Sequence, residues 1–243
     1  VIYMNILKQI EIFGDSILKG VIFDKIANKY LTPKETHADR VENFLPVTIN
    51  DKSRFGCTID KGNKMLDKTL NDGVDCDVIL LEYGGNDCDF DWKEVSEHPE
   101  KEHQPKTPLN IFEKTLHSMI NKVKEHGIKP LVMSLPPIDP HKYINWITKD
   151  GLSKEKILQW LGDVNMIYRF QELYSNTVVK IAYETKCLFV DVRSKFLDKH
   201  NFSSLLCDDG IHPNALGHKL IEEAFVVYGK EKLELNDKKI NCA

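Results

Sequence analysis

The chain has 243 residues, 42% hydrophobic and 29% charged, ordinary globular values that can supply a sizeable core without metal or disulfide staples. Lys plus Arg number 33 against 37 Asp plus Glu, a net charge of -4, so the basic footprint of a nucleic-acid binder is missing. No apolar run reaches the length of a membrane span, which argues against a membrane partner.

The first apolar run, residues 6–13, carries Ile6, Leu7, Ile10, Ile12 and Phe13 and reads as a strand. It shows no small-residue cleavage site, so it is not read as a signal peptide. It stops at Gly14-Asp15-Ser16, and a helix is expected over 17–28, with Ile17, Leu18, Val21, Ile22 and Ile26 inward. Residues 32–43 are polar, and 45–49 is a plausible second strand. A loop at 50–56 leads to a helical pattern over 58–70, weakened by Gly62.

Asp77 to Tyr83 is a compact β-branched and leucine run, the pattern of a strand buried on both faces, and it ends at Gly84-Gly85-Asn86-Asp87. Residues 88–106 read as a charged, irregular loop. Thr107 as N-cap and Pro108 at the first helical position then open a helix whose stripe is Leu109, Phe112, Leu116, Met119, Ile120 and Val123. Gly127 is its natural stop. A strand at 131–135 precedes a long loop, 136–152. A helical region over 153–185 breaks near Gly162, and 187–192 is the last strand. The loop 198–212 ends in Asp209-Gly210-Ile211-His212-Pro213, and Pro213 opens a final helix. The expected organisation is one domain over 1–229 followed by a polar tail, 230–243.

Five apolar strands alternating with helices predict an α/β fold, a three-layer α/β/α sandwich around a parallel sheet. Ligands bind such sheets at the C-terminal edge of the strands. Four blocks fall on that side: Gly14-Asp15-Ser16, Phe55-Gly56-Cys57-Thr58, Gly84-Gly85-Asn86-Asp87 and Asp209-x-x-His212-Pro213. Both long intervals, 88–106 and 136–152, follow strands and are expected over the same edge.

Taken alone, Ser16 reads first as a helix N-cap, ahead of a nucleophile. Taken with the other blocks it reads as a nucleophile. A serine hydroxyl needs a base, which His212 can supply, and Asp209 can hold the imidazole in one tautomer. Asp208 is the alternative carboxylate. The oxyanion of the tetrahedral intermediate needs donors, and the candidates are the Ser16 and Gly56 backbone N–H groups and the Asn86 amide. Glycine at 56 is expected because no Cβ then blocks the approach. Asp15 is expected to bond backbone amides around the turn, beside the substrate. Trp92, Tyr143 and Trp146 are candidates for an aromatic substrate platform, with plain loop packing as the alternative.

Other signals carry less. Ser16-Ile17-Leu18-Lys19 fits Ser-x-x-Lys, but the chain lacks the Lys-Thr-Gly and Ser-Asp-Asn that the corresponding hydrolases need. His98 and His103 lie in an acidic run and read as a solvated loop rather than a metal site. His218 reads as packing or surface. The six cysteines form no Cys-x-x-Cys pair and no zinc spacing, and Cys57, Cys88 and Cys207 neighbour the catalytic blocks. Together these points suggest a soluble cytoplasmic protein.

The four blocks, in this order and spacing, resemble the SGNH hydrolases, also called GDSL-type esterases or lipases. The family's four signature residues match Ser16, Gly56, Asn86 and His212, and Asp209 fits its Asp-x-x-His-Pro block. Ile17 replaces the Leu of the name motif, and the block around Gly56 is the loosest match. The resemblance implies a flavodoxin-like fold with five parallel strands, and ester hydrolysis through an acyl-serine without a cofactor or metal. The expected substrate is a small-molecule or carbohydrate ester carrying a short acyl group, acetyl above all, because no long apolar lid segment is visible. Acyl transfer, a lysophospholipase or lipase activity, and a non-catalytic carbohydrate-binding protein on the same fold are the alternatives.

Overall fold

A computed structural model describes residues 8–240, with side chains described as far as residue 231. In chain order the strands are β1 (Lys8–Phe13), β2 (Ile22–Asp24), β3 (Lys29–Leu31), β4 (Val47–Asp51), β5 (Val78–Leu81), β6 (Lys129–Met133) and β7 (Leu188–Val190). The helices are α1 (His37–Glu42), α2 (Ile59–Asn71), α3 (Trp92–Glu97), α4 (Leu109–Glu125) and α5 (Pro140–Thr148), then α6 (Lys154–Leu161), α7 (Met166–Thr185), α8 (Arg193–Leu197) and α9 (Ala215–Ile240). The first two residues of the expected first strand, Ile6 and Leu7, lie outside the described residues.

Five strands form a parallel sheet in the order β4-β1-β5-β6-β7. Counting only the strands of this sheet, that is the 2-1-3-4-5 order of a flavodoxin-like fold. The row Phe13, Leu81, Val132 is in register across β1, β5 and β6, and so is the row Ile12, Leu80, Leu131. Successive side chains point to opposite faces, so the two rows feed two cores. The first packs under α2, α4 and α7 through Leu66, Phe112, Met119 and Ile181. The second packs under α8 and α9 through Phe196, Ile221 and Ala224. This is the expected three-layer sandwich, with both faces of the sheet buried.

A third apolar cluster joins α3, α5, α6 and the start of α7 through Phe90, Trp92, Val95, Tyr143, Ile144, Ile157 and Ile167. The intervals expected as loops, 88–106 and 136–152, therefore contain short helices. Their caps are local. Asp91 accepts from the N–H groups of Lys93 and Glu94, and Asp139 from those of His141 and Lys142, with Pro140 in the first turn of α5. A capping box at Thr36 and Asp39 likewise makes a helix, α1, within the polar stretch 32–43.

The largest departure follows Ser16. The helix expected over 17–28 is a single turn. Val21 N–H donates to the Ser16 carbonyl and Gly20 N–H to that of Ile17, with Gly20 at φ +74°. That bonding pair is a Schellman stop, and it needs a residue comfortable in the left-handed region. The chain leaves it directly into the antiparallel β2–β3 hairpin, and Ile26, expected inward, is fully exposed. At α4 the cap is Pro108, and the Thr107 hydroxyl, instead of accepting from the helix, donates to Asp87. α9 continues to Ile240, through most of the stretch read as a polar tail. No helix among the described residues is long and apolar enough to cross a membrane.

Candidate active site

β1 and β5 lie side by side at the point where the strand order reverses, the place where such sheets open a crevice. Gly14-Asp15-Ser16 leaves the end of β1, and Gly84-Gly85-Asn86-Asp87 leaves β5. Two bonds join the turns. Asp15 N–H donates to Glu82 Oε2 at 3.1 Å, and Asn86 Nδ2 donates to Asp15 Oδ2 at 2.8 Å. Asp15 Oδ1 accepts from Ile17 N–H at 2.8 Å, as expected for a residue that shapes the turn. Asp87 fixes the β5 turn from below by accepting from the Ile59 N–H of α2 and from the Thr107 hydroxyl beside α4.

His212 arrives from the other end of the chain. Its loop is held by Cys207 N–H on the His212 carbonyl at 2.8 Å and by Asp139 N–H on the Gly210 carbonyl at 2.8 Å. His212 Nε2 lies 2.9 Å from Ser16 Oγ, and Nδ1 lies 2.6 Å from Asp209 Oδ2. All three residues are buried. Asp209 Oδ1 accepts from the N–H groups of Ile211 and His212, each at 3.0 Å. Burial alone would raise the Asp209 carboxyl, but its hydrogen bond and charge interaction with His212 and the two backbone donors hold it below the ordinary value. It is therefore a carboxylate, and the alternative, Asp208, instead pairs at the surface with Lys25 at 2.7 Å.

The three candidate donor residues come together at one cavity. Ser16, Gly56 and Asn86 all line the cavity over the serine. Among the described residues neither the Ser16 nor the Gly56 N–H has an acceptor in the protein. The Gly56 loop is tied to β1 by Arg54 N–H on the Gly14 carbonyl at 3.0 Å. Glycine is needed at 56 for its conformation, φ +66°; a Cβ there would meet open space.

The carboxyl groups below the turn are shifted by burial. Burial raises both Asp15 and Glu82, and the Asp15 charge pushes Glu82 further, well above the ordinary range. Burial also pushes Asp87 up to about 6. Cys88 lines the cavity, but burial lifts its thiol well above the ordinary value, and Cys57 is raised as well. Both thiols are protonated, so their proximity does not make them reactive.

The three candidate platform aromatics part company. Trp92 and Tyr143 line the cavity and are buried. Trp146 does not line it; its ring packs edge-on against Phe23 at 4.6 Å and carries Lys149 Nζ 3.2 Å above it. His98 groups with Glu94 and Glu97 on the surface of α3, and His103 bonds the His98 carbonyl. His218 is buried; its Nε2–H donates to the Val21 carbonyl, so it braces the turn that carries Ser16. Burial pushes its imidazole down to about 3, so it is neutral.

Tyr30 is the residue that sequence reasoning missed. From β3 its hydroxyl donates to Asp209 Oδ2 at 2.9 Å, and its ring tilts against His212 at 5.0 Å between centroids. Burial and the Asp209 charge raise the Tyr30 hydroxyl above its ordinary value, so it stays a donor. Phe55 stacks on the same imidazole at 5.9 Å. The available signal for the hairpin was Asn28 between two short apolar pairs, Ile22-Phe23 and Tyr30-Leu31.

A buried serine, histidine and aspartate bonded in series, on the C-terminal edge of a parallel sheet and beside unengaged N–H donors, define the serine hydrolase class. The sequence matches the GDSL-like lipase/acylhydrolase family over residues 12–220, and the chain belongs to that family. It is a carboxylic ester hydrolase. No curated protein matches the sequence. Among solved structures it is similar to a lipase/acylhydrolase from Enterococcus faecalis, at 17% identity and TM-score 0.63 over 93% of this chain and 97% of that one. It is also similar to the acetylxylan esterase Axe2 from Geobacillus stearothermophilus, in a catalytic-mutant structure, at 20% identity and TM-score 0.60 over 90% and 92%. An α/β hydrolase from the metagenome of Lake Arreo, Spain, aligns at 18% identity and TM-score 0.63 over 92% and 95%. At these identities the likeness shows a shared fold.

Proposed function

We infer that the chain hydrolyses short-acyl esters of small alcohols or carbohydrates through an acyl-serine intermediate. The observation that carries the reading is the unbroken series from Ser16 Oγ through His212 to Asp209, at 2.9 and 2.6 Å. His212 Nε2 takes the Ser16 proton as Oγ adds to the ester carbonyl. The carbonyl electron pair moves to oxygen, and the Ser16 N–H, Gly56 N–H and second Asn86 amide hydrogen receive it. Each such donor is worth about 2.7–4 kcal/mol where one has been removed from a comparable site. Collapse breaks the C–O bond to the leaving alcohol, and His212 delivers the proton to that oxygen. Water then repeats the sequence on the acyl-serine, releasing the acid and restoring Ser16. Asp209 stays ionised throughout and holds the Nδ1–H tautomer.

The likeness to an acetylxylan esterase supports a short acyl group on a carbohydrate, and the aromatic rings of Tyr30 and Phe55 beside His212 offer the leaving group an apolar flank. Ser16→Ala tests the reading. Hydrolysis of p-nitrophenyl acetate should fall to background in a variant with an unchanged circular dichroism spectrum. Substantial turnover in that variant would overturn it.

A further inference from the structure

Resting on the acyl-serine reading, we propose that His218, His37 and Glu222 form a buried chain of positioning residues that aims Ser16 from behind. Ser16 and His212 come from segments 196 positions apart, so their 2.9 Å separation depends on what fastens one segment to the other. His218 is such a fastening. It stands on α9, which begins at Ala215, just past His212, and its Nε2 meets the Val21 carbonyl at 3.0 Å. Val21 N–H in turn donates to the Ser16 carbonyl at 3.0 Å. One residue is therefore held by α9 through its carbonyl and closes the serine turn through its N–H.

The hydrogens along the chain can be placed one by one. A carbonyl only accepts, so His218 Nε2 carries a hydrogen. Burial keeps this imidazole neutral, so its Nδ1 offers a lone pair. That lone pair faces His37 Nε2 at 2.9 Å, which is therefore the donor. His37 Nδ1 faces Glu222 Oε1 at 2.8 Å, and one hydrogen lies between them. Arg40 Nη1 donates to the same oxygen at 2.7 Å. Glu222 follows His218 by one turn of α9, so this helix grips both nitrogens of a ring supplied by α1. The ring also backs the serine turn directly: a Cβ on Gly20 would stand 3.6 Å from His37 Cδ2 and Nε2. His37, His218 and Glu222 are all buried, where each polar group needs its partner.

The consequence falls on rate rather than on binding. His37, His218 and Glu222 stand outside the cavity over Ser16, so a substrate does not touch them. Without the His218 Nε2–H, the Val21 carbonyl loses that donor, and the turn that carries Ser16 Oγ and the Ser16 N–H is free to shift. A misplacement of about 1 Å can cost about 10²-fold in rate. His37 and Glu222 act one step further back. They hold the His218 ring in the tautomer and orientation that serve Val21, because the bond at one imidazole nitrogen decides which nitrogen keeps the hydrogen.

The test compares His218→Leu with His218→Gln in turnover of p-nitrophenyl acetate. His218→Leu keeps bulk but offers no N–H, and should lower kcat by up to about 10²-fold with little change in KM. His218→Gln places an amide N–H near the Nε2 position and an oxygen that can accept from His37, and should recover most of that loss. A packing role alone would reverse the order, since leucine fills the site and glutamine buries an amide. His37→Leu should lower kcat less than His218→Leu does, and the double variant should be no slower than His218→Leu, because both act through one chain. If the leucine variants fail to fold, ¹⁵N spectra of the wild type decide: hydrogens should sit on His218 Nε2 and His37 Nε2, and a hydrogen on His218 Nδ1 would overturn the chain. An unchanged kcat in folded His218→Leu, an equal or greater loss in His218→Gln, or additive losses in the double variant, with turnover still dependent on Ser16, would overturn the chain and leave the esterase reading intact. Turnover of no ester by the folded wild type would overturn both.

Discussion

Consider Asp209→Asn. The Oδ1 position accepts from two backbone N–H groups, Ile211 and His212, each at 3.0 Å, and these cannot rotate away. The asparagine oxygen is therefore held there. Its NH₂ must occupy the Oδ2 position, facing His212 Nδ1 at 2.6 Å and the Tyr30 hydroxyl at 2.9 Å. An amide donor there favours the imidazole tautomer with a bare Nδ1 and a proton on Nε2. Nε2 then points a hydrogen at Ser16 Oγ, 2.9 Å away, and cannot take one from it. The corresponding change in a chymotrypsin-type triad lowers kcat about 10⁴-fold, which is about 5 kcal/mol at 1.36 kcal/mol per tenfold. Stopped-flow and steady-state turnover of p-nitrophenyl butyrate should show that loss in kcat with little change in KM. ¹⁵N chemical shifts of His212 should report the changed tautomer. A variant that keeps more than a tenth of the wild-type kcat would refute the reasoning. Asp208→Asn is the control: it removes only an exposed pair with Lys25, so activity should stay within about twofold.

Asn86→Ala should lower kcat by about 10²–10³, the cost of one oxyanion donor, and a smaller loss measured with the same ester would remove Asn86 from that role. Tyr30→Phe deletes a donor to Asp209 Oδ2, so the carboxylate pulls harder on His212 Nδ1–H. The acid limb of kcat/KM should move to higher pH by up to about one unit, the size of a charge-assisted hydrogen bond; an unmoved limb in the pH–rate profile would reduce Tyr30 to packing. Asp87 has a folded pKa of about 6 against an ordinary 3.8. Between those values the folded state binds more protons than the unfolded one, so this group's contribution to stability is present at pH 4 and lost by pH 7. Relative to Asp87→Asn, the wild type should lose about 2 kcal/mol over that range in urea titrations. A difference that does not change with pH would contradict the buried, raised carboxyl.

The parts legible in the sequence are those whose signals are local. β5 is a short run of Val, Ile and Leu bounded by charge and glycine, and the break between α6 and α7 at Gly162 follows from residues within a few positions. Two of the four blocks, Gly14-Asp15-Ser16 and Gly84-Gly85-Asn86-Asp87, were legible because each directly follows a compact apolar strand, whereas Asp209 and His212 come after α8 and a loop. The helix expected after Ser16 failed for an equally local reason that was passed over: Gly20 adopts φ +74° and ends the first turn. Apolar spacing over 17–26 fits a helix face, yet it is shared between one turn and a two-stranded hairpin. Tyr30 could not be found that way. Its partner, Asp209, lies 179 positions further along, and nothing near Tyr30 announces the bond. The short helices α3 and α5 lie between, since Asp91 and Asp139-Pro140 are recognisable caps, but charge masks the apolar face that holds each in place.

The central claim is that Ser16 carries the acyl group. A fluorophosphonate probe, followed by intact-mass measurement and peptide sequencing, tests it at the atom concerned. One adduct per chain is expected, located on Ser16, with turnover lost in proportion to labelling and no adduct on Ser16→Ala. A hydrolytically active chain that the probe leaves unmodified, or modifies at another serine as activity disappears, would contradict it.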